Sequence, residues 1–241
     1  MKQITKTILN LTIFSIAMGY MESAVVVYLR EIYYPGGFKF PLIPVSPDIA
    51  ITEFLREAST IIMLIGAGVM AGKNAAQRFA FFIYSFAIWD IFYYVFLKVL
   101  LNWPESLFTW DILFLIPFPW VGPVIAPCIV SVSMIFLTLT IVYFQEKNKF
   151  IPIRFIEWIF LILGSLTVIA SFMWDYIMYL SVNGSNKVVW TLSSGTNMFE
   201  EVSNYIPKSF NWRLFGLGEG FILITIFLIF YRLNQESSIK Y

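Results

Sequence analysis

Histidine is absent from this chain of 241 residues. Its absence removes the usual ligand of zinc, haem and di-iron sites, the Ser-His-Asp and Cys-His nucleophile systems, and HExxH proteolysis. Cysteine is nearly as scarce. The single Cys128, in the apolar run "VIAPCIVSVSMIF", allows no internal disulfide and no CxxC redox pair, and reads as a small buried apolar residue. Charge is thin as well: 13% of residues are charged, the formal net charge is +1, and no basic tract is interleaved with exposed aromatics, so nucleic acid is not an expected partner. Any chemistry must fall to carboxylates, Tyr, Lys, Arg or hydroxyls. Carboxylates permit a hard divalent cation such as Mg²⁺, but no haem or histidine-based metal site is expected.

What is abundant is apolar surface. Hydrophobic residues make up 59% of the chain and aromatics 19%, a composition that belongs in a bilayer. A spanning helix needs about 20 apolar residues. That criterion predicts six spans, near 8 to 30, 50 to 72, 78 to 101, 121 to 145, 152 to 180 and 209 to 232. The expected fold is therefore an all-α polytopic membrane bundle in one integral membrane domain, 1-241. The basic start and apolar run of "MKQITKTILNLTIFSIAMG" continue past Glu22 without a small-x-small cleavage site, so the segment reads as an uncleaved first span.

Short basic connectors, "AGKNAAQR" and "QEKNKFIPIR", and the two ends with Lys2, Lys6, Arg232 and Lys240 predict a cytoplasmic side holding both termini, in the plasma membrane. The longer connectors lie opposite and offer a cap over an outward-facing cavity. One of them carries the sequon Asn183-Gly-Ser. In "WDILFLIPFPWVGPVIAP", Pro117, Pro119, Pro123 and Pro127 forbid a regular helix. The expectation is a short helix begun near Pro104, then a proline-broken interfacial or re-entrant segment packed against protein.

Acids stand where a greasy chain should least accept them. "SFAIWDIFYY" and "SFMWDYIMY" each place Trp-Asp in an aromatic run, with Tyr94 four residues after Asp90 and Tyr179 four after Asp175. On a helix that spacing lets the tyrosine reach back to the aspartate. Glu22, Asp90, Asp175 and Glu219 fall at or beyond the predicted midplane, and Glu53, Glu57 and Asp111 near the outer surface. At roughly 2.5–3.5 kcal/mol each, four deep acids facing lipid would cost on the order of 10–14 kcal/mol, comparable with a whole domain's stability. They should therefore face inward, protonated or paired.

Spacing supports an inward stripe. Asp90, Tyr94 and Lys98 share one helix face, and Gly164, Val168, Ser171, Asp175 and Tyr179 share another. Glu53, Arg56 and Glu57 share a face just after Asp48, a candidate helix cap. Gly216, Gly218 and Gly220 flank Glu219 and would let another helix approach it, with Arg213 the nearest cation in sequence. Glu157 has Arg154 one turn away. The repeated Trp-Asp segments, with "GYMESAVVVYLR", suggest three related hairpins.

"WDIFYYVF" resembles the Tyr-Asp segment of the GxGD intramembrane aspartyl proteases, and "GLGEG" is similar to their Gly-x-Gly-Asp turn. The resemblance covers these two short segments alone. Glu219 stands where that family has Asp, no Pro-Ala-Leu motif is present, and two further spans separate the segments, so the chain is not assigned to the family.

Three functions fit these residues. One is an intramembrane enzyme acting on a lipid or other amphipathic molecule, with Asp90, Asp175, Glu22 and Glu219 as acid-base groups and Tyr94, Tyr179, Arg213, Arg56, Glu53, Glu57 and Asp111 binding the ligand. Another is a proton- or cation-coupled transporter, for which six spans are few and a homo-oligomer is expected. The third is a non-catalytic membrane subunit whose acids hold helices together. Aromatic walls around the acids suit an amphipathic ligand and favour the first.

Overall fold

The computed structural model describes residues 2–116, 118–147, 152–182 and 204–238. Pro117, the sequon at Asn183 and most of the connector before the last helix lie outside the described residues. Six helices carry the fold: α1 (Lys2–Tyr33), α2 (Pro47–Ala71), α3 (Ala75–Leu101), α4 (Ile125–Lys147), α5 (Phe155–Val182) and α6 (Trp212–Ser238). Each contains a stretch long and apolar enough to cross a membrane. Their outward faces carry Ile62, Met70, Phe155, Leu166 and Phe227, each more than half exposed. That much exposed apolar surface is unsuited to water and suited to lipid.

Between α3 and α4 the structure departs from the sequence reading. In place of a short helix from Pro104 there is an antiparallel pair, β1 (Trp110–Phe114) and β2 (Trp120–Pro123), with Asp111 opposite Gly122 and an irregularity between Ile112 and Phe114. The physical reason is local. Aromatic and β-branched residues favour extended backbone, and strand backbone groups pair with each other where the prolines deny a helix its ladder. Pro127 falls in the first turn of α4, where a missing N–H costs nothing.

Helix α3 is the axis of the bundle. Over half of its apolar window, 56%, is buried, against 22–44% for the other five, and α1, α2 and α4 all pack on it. A bilayer would supply no hydrophobic drive between helices, and contacts suited to one rest on small residues and buried polar bonds. Both are present. A Cβ on Gly19 would meet the Trp89 carbonyl at 3.0 Å, and Ser23 one turn on donates to the Tyr93 carbonyl at 3.0 Å. Thr138 of α4 donates to the Ala80 carbonyl at 2.8 Å. The helix starts are capped as their sequences allow. Asn74 accepts from the Gln77 N–H, Asn211 from that of Leu214, and Ser46, not Asp48, accepts from that of Ile49. Asp48 sits in the first turn of α2, where it complements the helix dipole.

Helix α5 packs mainly on α6. A Cβ at Gly164 would lie 3.0 Å from the Gly218 carbonyl, and one at Gly218 would lie 2.8 Å from the Val168 N–H nitrogen. The stripe Gly164, Val168, Ser171 read as one wall of a polar site is thus the close-packed seam between two helices. Gly216 and Gly220 face open space. Of the three glycines around Glu219, one brings a helix near, and that helix is α5.

Candidate functional site

Four elements bring charged side chains to one place: the C-terminal part of α1, the N-terminal half of α2, the second half of α3, and β1. The cavity they enclose, about 210 Å³, is lined by Glu22 and Arg30 from α1, Glu53, Arg56 and Glu57 from α2, Asp90, Tyr93 and Tyr94 from α3, and Asp111 from β1. It lies at the end of these helices away from the connector that joins α2 to α3.

Two arginines organise the acids. Arg56 is held between Glu22 and Glu53, with its Nη2 2.8 Å from Glu53 Oε2, and Thr60 also donates to Glu22 at 3.2 Å. Arg30 pairs with Asp111 at 3.4 Å, and its guanidinium lies 3.7 Å from the Trp103 ring centroid and 4.4 Å from that of Phe38. Such stacking on aromatic faces suits a planar guanidinium. Tyr94 donates to the other oxygen of Asp111 at 3.2 Å. Burial raises the Asp111 carboxyl from its ordinary 3.8 to about 6, against the opposing pull of Arg30. Between those values the folded chain keeps a proton the unfolded chain has lost. This group's contribution to stability therefore falls as pH rises through that window and is level above it.

Two carboxyl groups remain outside any ion pair among the described residues. Glu57 accepts the Leu115 backbone N–H at 2.8 Å, which anchors the strand pair to α2, and Asp90 accepts the Ser131 hydroxyl of α4 at 2.8 Å. Both are buried. Arg30 Nη1 and Trp89 Nε1, on residues lining the same cavity, are buried donors without a hydrogen-bond partner among the described residues. Among those residues no group of three or more His, Cys, Asp or Glu is arranged to hold a metal ion.

The sequence-predicted site residues divide. Glu22, Glu53, Arg56, Glu57, Asp90, Tyr94 and Asp111 converge on the cavity. Asp175 does not. Its carboxylate accepts the Tyr205 hydroxyl at 2.7 Å and the backbone N–H groups of Lys208 and Ser209 at 3.0 and 3.1 Å, so it ties the segment before α6 onto α5. Burial, and then this bond, raise the Tyr205 phenol. Tyr179 packs its ring on Tyr176 and Tyr205 instead of bonding Asp175. Neither i+4 tyrosine therefore meets the aspartate before it: Tyr94 turns to Asp111, and Lys98 turns to the Asn102 and Pro104 carbonyls at the end of its helix. The repeat also fails in burial, with Trp89 5% exposed and Trp174 45%.

Glu219 is buried elsewhere, accepting the Ser133 hydroxyl of α4 at 2.7 Å. Ser131 and Ser133 lie two residues apart, on different faces of α4, so that helix stands between Asp90 and Glu219. The geometry of an aspartyl dyad is not formed. Arg213 is exposed. Glu157 meets the Arg154 backbone N–H, and its ion pair is with Arg232 of α6.

The chain matches no protein-family model, no curated protein and no solved structure. The site must stand on its own geometry. Sequence reasoning missed Arg30, Tyr93 and the strand pair. A signal for Arg30 existed: it sits at the predicted outward end of the first span, against the positive-inside tendency, where a cation needs a local reason.

Proposed function

We propose that this chain is an integral membrane protein that takes an amphipathic small molecule, a lipid or a lipid-like compound, at the acid-rich cavity and acts on it from the extracytoplasmic side. One observation carries the reading: five carboxyl groups from four separate elements line one cavity with only two arginines, and two of those acids, Asp90 and Glu57, form no ion pair. Helix association alone asks for far less, since single polar contacts suffice elsewhere in this bundle. Asp90 and Glu57 are the groups positioned to give and take protons. Glu53 and Arg56 flank Glu57 on α2, Glu22 faces them from α1, and Arg30 with Asp111 adds the contribution of the strand pair. Carboxyl groups in different surroundings divide acid and base duties.

Turnover in detergent distinguishes an enzyme from a transporter, which instead moves its ligand unchanged across sealed vesicles. Asp90→Asn and Glu57→Gln keep shape and hydrogen-bonding capacity. Each is expected to reduce either activity by ~100-fold or more, in line with loss of a general acid or base, with folded yield preserved. Loss of folded protein in step with activity would make the acids structural.

The orientation follows from the basic regions, with both termini cytoplasmic and the cavity outward. In a Cys128→Ser background, Lys39→Cys should react with an impermeant maleimide applied to intact cells, and Lys73→Cys only after permeabilisation. Both residues are exposed. The reverse pattern overturns the orientation and leaves the cavity's chemistry in place.

A further inference from the structure

The polar cavity shares part of its wall with another space. A second, apolar cavity of about 410 Å³ lies between α3, α4 and α5, walled by Phe82, Phe86, Met134, Leu161, Ile169 and Phe172. Asp90, Leu113 and Phe114 line both. Phe114 packs its ring against Phe86, Trp89 and Trp120, so β1 supplies the partition between the two spaces. At the rim of the apolar cavity, Ile162 and Leu166 are 53% and 59% exposed, which opens it sideways across a face whose neighbours are apolar.

Size assigns the parts of a ligand. Sites that enclose a whole drug-sized molecule run to roughly 300–1,000 Å³; the polar cavity, about 210 Å³, suits a head group alone. The apolar cavity offers a hydrocarbon chain the contact it needs and a polar ligand little: Ser131 already donates to Asp90, and beyond these two the hydroxyl of Ser165 and the indoles of Trp120 and Trp158 are the polar groups in an otherwise apolar wall. Charge assigns the head. Five carboxyl groups line the cavity against two arginines, and apart from one open donor, Arg30 Nη1, both guanidiniums are engaged by Glu22, Glu53 and Asp111, so a phosphate or carboxylate head would meet an excess of acids. A protonated amine would donate to Asp90 and Glu57, with the faces of Trp89 and Tyr93 nearby to favour a cation. An oxygen beside the amine would also satisfy the Trp89 Nε1 donor.

Resting on the function proposed above, we infer that the ligand is a single-chain amphiphile with an amine head: the head is taken by Asp90 and Glu57, and the alkyl chain passes Phe114 into the chamber between α3, α4 and α5. The polar cavity then sets head-group specificity, and the chamber sets chain length.

Three photoreactive probes with one hexadecyl chain, bearing a diazirine near its end and an amine, a hydroxyl or a phosphate as head, test this on the whole protein in nanodiscs. Labelled peptides are mapped by mass spectrometry. The amine is expected to label the α4 and α5 segments around Met134 and Ile169 at a concentration at least ~10-fold below that needed by the phosphate, corresponding to about 1.4 kcal/mol. Ser165→Phe and Ile169→Trp, which fill the chamber, should remove that labelling, and Asp90→Asn should remove the preference among heads. Equal labelling by all three heads on the unaltered protein, or a preference for phosphate, overturns the head-group assignment. Labelling spread over outward residues such as Ile62 and Met70, untouched by filling the chamber, overturns the chain's placement. Neither result disturbs the function itself, which fails separately if Asp90→Asn and Glu57→Gln leave turnover and transport intact.

Discussion

Replacing Arg232 by methionine is expected to lower stability by about 3–5 kcal/mol, the cost of leaving a buried charge without its partner. Glu157, 2% exposed, faces α6 from the first turn of α5 and receives Arg232 through Nε at 2.9 Å and Nη2 at 3.0 Å. The same guanidinium donates to the Pro152 carbonyl at 3.2 Å, so one side chain joins α6 to both the start of α5 and the strand of chain before it. Methionine keeps much of the apolar stem and removes the charge and donors. Glu157→Gln in the same chain should recover part of the loss, because a neutral amide is cheaper to bury than a carboxylate. Unfolding in mixed micelles, followed by tryptophan fluorescence, measures both. A loss below about 1 kcal/mol would show that the pair behaves as a solvent-screened surface bridge.

That pair also marks the limit of reading along the chain. Spacing offers Glu157 a partner within its own helix turn, Arg154, and cannot see Arg232, which is distant in sequence and adjacent through α5–α6 packing. The same limit governs Asp90 and Asp175. Their local sequences share Ser-Phe, Trp-Asp and a Tyr four residues on, yet one meets a serine of α4 beside a cavity and the other is wrapped by backbone N–H groups. Local resemblance fixed what each residue is next to on its helix, and tertiary packing decided what each one touches. The helices themselves were legible because apolar length is a local property: all six predicted spans correspond to helices, with ends displaced by several residues in places. The strand pair was not. Proline correctly argued against a helix there, but whether the freed backbone pairs with itself or with other groups depends on where the chain turns, and Pro117 and its neighbours give no periodic signal.

The charged residues of α2 were legible as a face, but their partner was not: Glu22 of α1 reaches Arg56 across the helix pair and joins the cluster to the cavity wall. The side chains of Arg56, Glu22 and Glu53 are 21%, 12% and 16% exposed, so the cluster is mostly desolvated.

This leads to a test in which stability and function should part company. Arg56→Met alone strands two carboxylates, and a loss toward the lower end of about 3–5 kcal/mol is expected, since the cluster keeps some access to solvent. Replacing the whole cluster, Glu22→Gln with Glu53→Gln and Arg56→Met, removes every charge at once. Replacing a buried ion cluster by neutral groups of similar volume is often neutral or stabilising, so the triple variant should return to within about 1 kcal/mol of the parent, the ordinary additivity error for coupled sites aside. If the acids were helix glue and nothing more, that variant would also behave as the parent in every assay. If they shape the wall of a working site, it should fold and still lose turnover or transport by an order of magnitude or more, because Asp90 and Glu57 would then act in a cavity that has lost the charges beside Glu57. A triple variant both stable and fully active would remove the α1–α2 cluster from the site and leave Asp90, Glu57 and the Arg30–Asp111 pair to account for the chemistry alone.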